Sequence, residues 1–170
     1  WQKIVIYLDQ KVAKIDEAIA KKKQLIKLLE KKCMTTIRNA LYFKNVQKRK
    51  LKFIATMKYG DALANEIRNA AGNIPVYGSF GQVGLHDVAN TSSPVLVIGR
   101  KGSYGKVIFS KVPVFVIDTA YFIDSKTSLC NLRWLFYALQ NIDFEGSSLD
   151  TGVPGLSRAF ANNCEIPYCS

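Results

Sequence analysis

Val5-Ile-Tyr-Leu-Asp-Gln-Lys-Val-Ala-Lys-Ile-Asp-Glu-Ala-Ile19, carried on through Ile26, Leu29 and Cys33, decides how the first quarter of the chain folds. Two apolar series interleave: Val5, Val12, Ile19, Ile26 and Cys33, and Leu8, Ile15 and Leu29, with Lys22 interrupting the second. The spacings alternate three and four, the a/d pattern of a coiled-coil seam. Residues 1 to about 40 contain no Gly or Pro, and Lys and Glu on the other faces are good helix formers. A helix of that length runs about 55–60 Å, more than one small domain can cover, so it is expected to seek a partner helix. Lys22 on the seam fits register setting better than maximum stability.

Outward from the helix the composition changes. Residues 44–52 (KNVQKRKLK) form a basic run that reads as a junction. From Phe53 onward Gly, Pro and β-branched residues dominate, and Pro94–Ile98, Val107–Phe109 and Val112–Ile117 read as short strands. Glycines at 72, 78, 81, 84, 99, 102 and 105 punctuate them, residues 129–141 return to a helical period, and TGVPGLSRAFANN reads as a turn into a short helix. Trp134 and Phe136 lie on the helical stretch and are expected in the core rather than as stacking platforms. The expected fold class is α+β: a long coiled-coil-forming helix over 1–45, then a mixed, strand-rich domain over 50–170.

The 170 residues suffice for one domain with a real core or a small domain plus an extended element. No stretch approaches the roughly 20 apolar residues of a membrane span, and the N-terminus lacks a secretory pattern, so a cytoplasmic protein with no membrane partner is expected. Cys33, Cys130, Cys164 and Cys169 form no CxxC pair, and the single His86 lies far from all of them, so no metal site is expected. The Cys164–Cys169 spacing admits a disulfide, but free thiols are the better reading. The net charge of +11 points to a polyanionic partner. Residues 1–52 hold 15 Lys/Arg against 4 Asp/Glu, whereas residues 53–170 hold 9 of each.

Motifs that would carry chemistry fail on inspection. In Gly99-Arg-Lys-Gly-Ser-Tyr-Gly-Lys-Val107 a phosphate-cradling P-loop would need Gly at position 100 and Ser or Thr at 107, which are Arg100 and Val107. Pro167-Tyr168 resembles the end of the loop of amino-methyltransferases, but Glu165 and Ile166 replace its amide and first proline, and no glycine-rich methyl-donor turn precedes it. No nuclease carboxylate–lysine cluster is present. A lone His86 beside Asp87 is more often a turn residue than a base, roughly four to one. No catalytic residue and no cofactor are expected. What remains suits binding: residues 88–117 hold no acid but include Arg100, Lys101, Lys106 and Lys111. Glycines at 99, 102 and 105 would let backbone N–H groups approach a phosphate, and Arg100 and Lys101 can donate to phosphates or guanine edges. Against a merely solvated turn, binding is favoured by about two to one.

These residues also carry a family resemblance. Tyr7-Leu-Asp-Gln-Lys-Val-Ala-Lys-Ile-Asp-Glu-Ala-Ile19 with Leu25-Ile-Lys-Leu-Leu29 resembles the spacer helix of type I restriction–modification specificity subunits. Lys58-Tyr-Gly60, Ile74-Pro-Val-Tyr-Gly-Ser-Phe-Gly81, Ile98-Gly-Arg-Lys-Gly-Ser-Tyr-Gly-Lys-Val107, Ile117-Asp-Thr-Ala-Tyr121 and Thr151-Gly-Val-Pro-Gly-Leu-Ser-Arg158 resemble, in order, blocks of that family's target recognition domain. The resemblance implies two recognition domains per subunit, each reading half of a bipartite duplex target. It also implies two helices that pair antiparallel, and docking to methylation and restriction subunits that hold the chemistry. Here only one helix and one domain are present, and head and tail break at nearly the same point of the repeat, so the chain reads as one repeat of a longer subunit, a natural half or a fragment. A half would pair with a second copy through Val5, Leu8, Val12, Ile15, Ile19, Ile26 and Leu29. The lysine-rich side of the helix reads as a solvated face.

For DNA contact the first candidates are Arg100, Lys101, Ser103, Tyr104 and Lys106, followed by Lys58, Tyr59, Arg68, Ser79, Gln82 and Arg158. Arg or Lys with guanine, and Gln with adenine, are the common edge contacts. Pro154 and Gly155 are expected to shape a turn. Two rivals stand beside this reading: a coiled-coil protein that binds polyanions without sequence preference, and a small enzyme whose site the sequence hides.

Overall fold

The computed structural model describes residues 1–42, 46–144 and 155–168. The chain divides into two compact units, Trp1–Phe43 and Lys44–Ser170. The first is one helix, α1 (Gln2–Leu41), 40 residues long. Its seam residues Val5, Leu8, Val12, Ile15, Ile19, Ile26 and Leu29 are all between 45% and 58% exposed. Lys21 pairs with Glu17 one turn earlier at 2.6 Å. The hydroxyls of Thr35 and Thr36 donate back to the Lys31 and Lys32 carbonyls, so these β-branched residues are accommodated without breaking the helix.

The second unit is strand-rich. Strand β1 (Gln47–Lys50) pairs antiparallel with β9 (Glu165–Tyr168), tying the start of the unit to its end. The basic run at 44–52 therefore belongs to this unit, as a strand and not as a linker. Counted that way, residues 44–170 hold 14 Lys/Arg against 9 Asp/Glu, so the strand-rich unit is itself basic.

Strands β2 (Lys58–Tyr59), β8 (Ala120–Asp124), β5 (Val95–Gly99) and β6 (Val107–Ser110) form a four-stranded sheet in that order, antiparallel throughout. A three-stranded sheet runs β4 (Gly81–His86), β3 (Ile74–Gly78), β7 (Phe115–Val116), with β3 and β7 parallel. All five residues of β5 and all five of β8 are buried, which is why both read as continuous apolar runs rather than alternations. Val95, Val97, Val114, Val116, Ala120 and Phe122 form one core cluster.

Helix α2 (Leu132–Gln140) is capped by Asn131, whose side-chain oxygen accepts from the Arg133 and Trp134 N–H groups at 2.8 and 3.2 Å. Leu132, Leu135, Ala138 and Leu139 are its buried face, while Trp134 and Phe136 are only half-buried. Helix α3 (Arg158–Asn163) starts at Ser157, whose hydroxyl accepts from the Phe160 N–H. The turn expected at 151–154, including Pro154, lies outside the described residues, as does Cys169. Cys33, Cys130 and Cys164 are free thiols, and burial raises the pKa of Cys130 and Cys164.

The apolar run Val112–Ile117 contributes only the two-residue β7. Side chains take the place of a neighbouring strand here. The Thr91 hydroxyl both donates to the Val114 carbonyl and accepts from its N–H, and the Asn90 amide does the same for Val116. Pro113 has no N–H to offer a ladder. Buried backbone is satisfied, but not by β pairing.

Candidate nucleic-acid interface

The register of the four-stranded sheet brings separate segments to one end. Tyr59 pairs with Tyr121, and Gly99 with Ala120. The loop 99–106, the segment after β2 and the β7–β8 turn therefore emerge side by side. The tip of the β3–β4 hairpin joins them: a Cβ built on Gly99 would lie 3.2 Å from the Ser79 carbonyl oxygen, and one on Gly102 3.5 Å from the Phe80 ring. Lys101 bridges to Gly155, and the Leu156 N–H donates to the Arg100 carbonyl at 2.8 Å, which fixes the start of α3 against the same loop.

Tyr59 is the hub of this cluster. Its ring meets Tyr121 edge-on with centroids 5.0 Å apart. The guanidinium carbon of Arg100 lies 5.1 Å from the Tyr59 centroid and that of Arg158 lies 4.9 Å from it. Arg100 is also 5.9 Å from the Tyr121 ring and donates to the Asp118 carbonyl at 3.0 Å. Among the described residues Arg158 makes no hydrogen bond or ion pair, so its whole donor fork is available. Tyr121 is buried and its hydroxyl donates to the Leu156 carbonyl at 2.9 Å. Its pKa is raised first by that burial and then by Tyr59, with Arg100 acting in the opposite direction. The phenol therefore stays neutral and holds α3 in place.

The glycines of the loop do a different job from the phosphate approach expected of them. Gly102 and Gly105 have φ of +73° and +78°, which L side chains rarely adopt. A Cβ on Gly105 would come within 2.7 Å of the Phe144 Cβ, and one on Gly99 would overlap the Ser103 carbonyl oxygen. The N–H groups of Gly99, Arg100, Lys101, Tyr104 and Gly105 are all spent on backbone carbonyls. The glycines make a tight, internally bonded loop, and its side chains face outward as the available donors.

The remaining candidates are distributed as follows. Lys58 and Lys101 are exposed, whereas Ser103 and Tyr104 are half-buried. Lys106 is exposed but its ammonium donates to the Phe80 carbonyl at 2.7 Å, clamping the hairpin tip. Ser79 is 5% exposed, withdrawn beneath that tip, and Phe80 beside it is 69% exposed. Gln82 is exposed on β4, with a long bond to the Gly84 carbonyl. Arg68 is not part of the cluster: it donates to the Leu63 and Val83 carbonyls and braces β4. His86 packs edge-on against Phe115 at 5.5 Å, and Asp87 accepts from Asn69 rather than orienting the imidazole. Among the described residues no group of three or more His, Cys, Asp or Glu could hold a metal, and no helix is long and apolar enough to cross a membrane.

Sequence reasoning missed Phe80, an exposed aromatic at a hairpin tip among cations, and the Arg100–Tyr59–Arg158 arrangement as a unit. An aromatic between two glycines (Gly78 and Gly81) was the available signal for the first. For the second there was none, because it depends on strand register.

A long seam-bearing helix and an α+β domain of two antiparallel-rich sheets with clustered basic loops make the fold that of the S subunits of type I restriction–modification systems. The S subunit from M. genitalium superposes with a TM-score of 0.64 at 21% identity, over 74% of this chain and 35% of that one. The HsdS subunit from Thermoanaerobacter tengcongensis gives 0.59 at 14% identity, over 93% of this chain and 42% of that one. A structure described for complex assembly and conformational transition of a type I system gives the same score and identity, over 93% and 46%. The chain thus spans less than half the length of each of these neighbours. No family model and no curated protein matches the sequence.

Proposed function

We propose that this chain is a specificity element of a type I restriction–modification system, reading one half-site of a bipartite target in duplex DNA and performing no chemistry itself. The observation that carries the reading is the gathering of Arg100, Arg158 and Tyr59, with Lys58 and Lys101, at one end of a rigid sheet. Guanidiniums held on an aromatic face keep their planar donor edges free, which suits bidentate pairing with guanine or phosphate. The fold likeness supports the same assignment, and it makes methylation and restriction subunits the expected partners. The exposed seam of α1 suits antiparallel pairing with a second copy or a second repeat, which would set the separation of two half-sites.

Co-expression with cognate methylation subunits and mapping of methylated genomic sites tests the assignment. A single bipartite motif is the expected outcome, and Arg100→Ala or Arg158→Ala should alter or abolish one half of it. Binding to random and selected duplexes with equal affinity, and with a steep salt dependence only, would instead mark a non-specific polyanion binder.

A further inference from the structure

A second basic surface of the strand-rich unit lies away from the loop cluster. A groove of about 300 Å³ is lined by Lys52, Phe53, Thr56, Lys58, Lys126 and Leu129, among others. A smaller one of about 200 Å³ is lined by Lys52, Thr56, Met57, Arg158 and Asn162. The two share Lys52, Ala55 and Thr56, and the second ends at Arg158, the residue that rests on Tyr59. A continuous strip thus leads from the loop cluster along the edge of the sheet at β2. We infer that this strip is a track for the phosphodiester backbone of duplex DNA, touching phosphates while the loop cluster meets base edges. The inference rests on the duplex-DNA reading above and adds residues to it: Lys52, Thr56 and Lys126.

Three features argue for it. Among the described residues none of Lys52, Lys58, Lys126 and Arg158 takes part in an ion pair. Four cations brought together without an acid repel one another, and an anionic ligand relieves that repulsion. The acid nearest Lys126 in sequence is removed from the surface: Asp124 is 4% exposed, and its carboxylate accepts from the Ser92 and Lys126 N–H groups and the Thr127 hydroxyl. Further along the same face, beyond Phe53, Glu165 joins Lys48, Arg49 and Lys50, so the acid-free character is confined to the strip.

The groove is also fixed in place. The Thr56 N–H donates to the Thr127 carbonyl at 2.8 Å, the Leu129 N–H to the Ile54 carbonyl at 2.8 Å, and Ala55 bridges Ser128. Residues 54–56 are thereby stapled to the turn at 124–129. Lysines act as point charges for phosphate, and the exposed Thr56 can add a hydroxyl donor. Phe53 and Leu129, 62% and 84% exposed, flank the lysines as apolar surface, and a sugar–phosphate chain presents the matching alternation of charge and deoxyribose.

The test is the salt dependence of binding to a random duplex, measured by fluorescence anisotropy with the full chain and with its Lys52→Ala/Lys126→Ala variant. Loss of two phosphate contacts lowers the slope of log K against log salt by about 1.8 and the affinity at moderate salt by roughly tenfold. The ratio of affinities for selected and random duplexes stays unchanged, and Lys52→Arg/Lys126→Arg binds as the parent does. Both positions are exposed, and a matching circular dichroism spectrum verifies the fold. An unchanged slope and affinity in the alanine variant overturns the track, while sequence preference in the same titrations leaves the loop reading intact. Loss of that preference in the unaltered chain is a separate failure, of the loop reading. A variant that binds DNA normally but no longer assembles with methylation subunits assigns the strip to an acidic protein surface and overturns the inference as well.

Discussion

Replacing Tyr59 by alanine leaves the guanidiniums of Arg100 and Arg158 without the ring on which both rest. Each cation–π contact is worth about 0.5–1 kcal/mol at an exposed site. Tyr59→Ala should therefore weaken duplex binding by roughly two- to tenfold, while Tyr59→Phe, which keeps the ring, should stay near the parent. Equal loss in both variants would show that the hydroxyl, not the ring, is what matters. Gly105 carries the stability of the loop. With φ at +78° and Phe144 at van der Waals limit, Gly105→Ala should lower the unfolding free energy by about 1–3 kcal/mol in a urea titration. At this scale the sequence singled out Arg100 and Lys101 through an acid-free, glycine-spaced stretch. It could not show that Lys106 would be drawn into clamping Phe80, or that Ser79 would be covered, because both follow from the hairpin tip folding over the loop.

Helix α1 illustrates an element whose stability is not its own. An isolated helix gains little from propensity in water, and here a row of aliphatic residues stays about half exposed along the length of α1. The far-ultraviolet helical signal should accordingly depend on protein concentration. Ile15→Lys/Ile19→Lys should convert a self-associated species to monomer in sedimentation equilibrium and lower the helical signal. A monomer in the unaltered chain at high micromolar concentration would remove the pairing proposal. The strand-rich unit behaves differently because its elements bury one another. Strands β5 and β8 were legible as apolar runs, since a strand covered on both faces has no alternation to hide it. The run at 112–117 misled for the same reason: a buried apolar segment reads as a strand whether its backbone is paired by another strand or by Asn90 and Thr91.

Across the whole molecule, charge decides how non-specific attraction is shared. With the basic run at 44–52 assigned to the strand-rich unit, both units are cationic, although a division of the sequence at residue 52 leaves the C-terminal part neutral. Neutralising Lys21, Lys22 and Lys23 to Gln should lower affinity for random and selected duplexes alike if the helix lies near DNA. It should leave both unchanged if that face is merely solvated. In neither case should the ratio between the two duplexes move, because helix lysines would see phosphate and not bases. The sequence by itself determined the seam-bearing helix, the main strands of the second unit and the glycine-spaced basic loop, since each is written in the periodicity of neighbouring residues. Only the tertiary structure decided that Tyr59, Arg100 and Arg158 share one place, and that Lys52 and Lys126 share another. Those meetings are set by sheet register and by the staple between distant segments, and no local pattern encodes which strand will lie beside which.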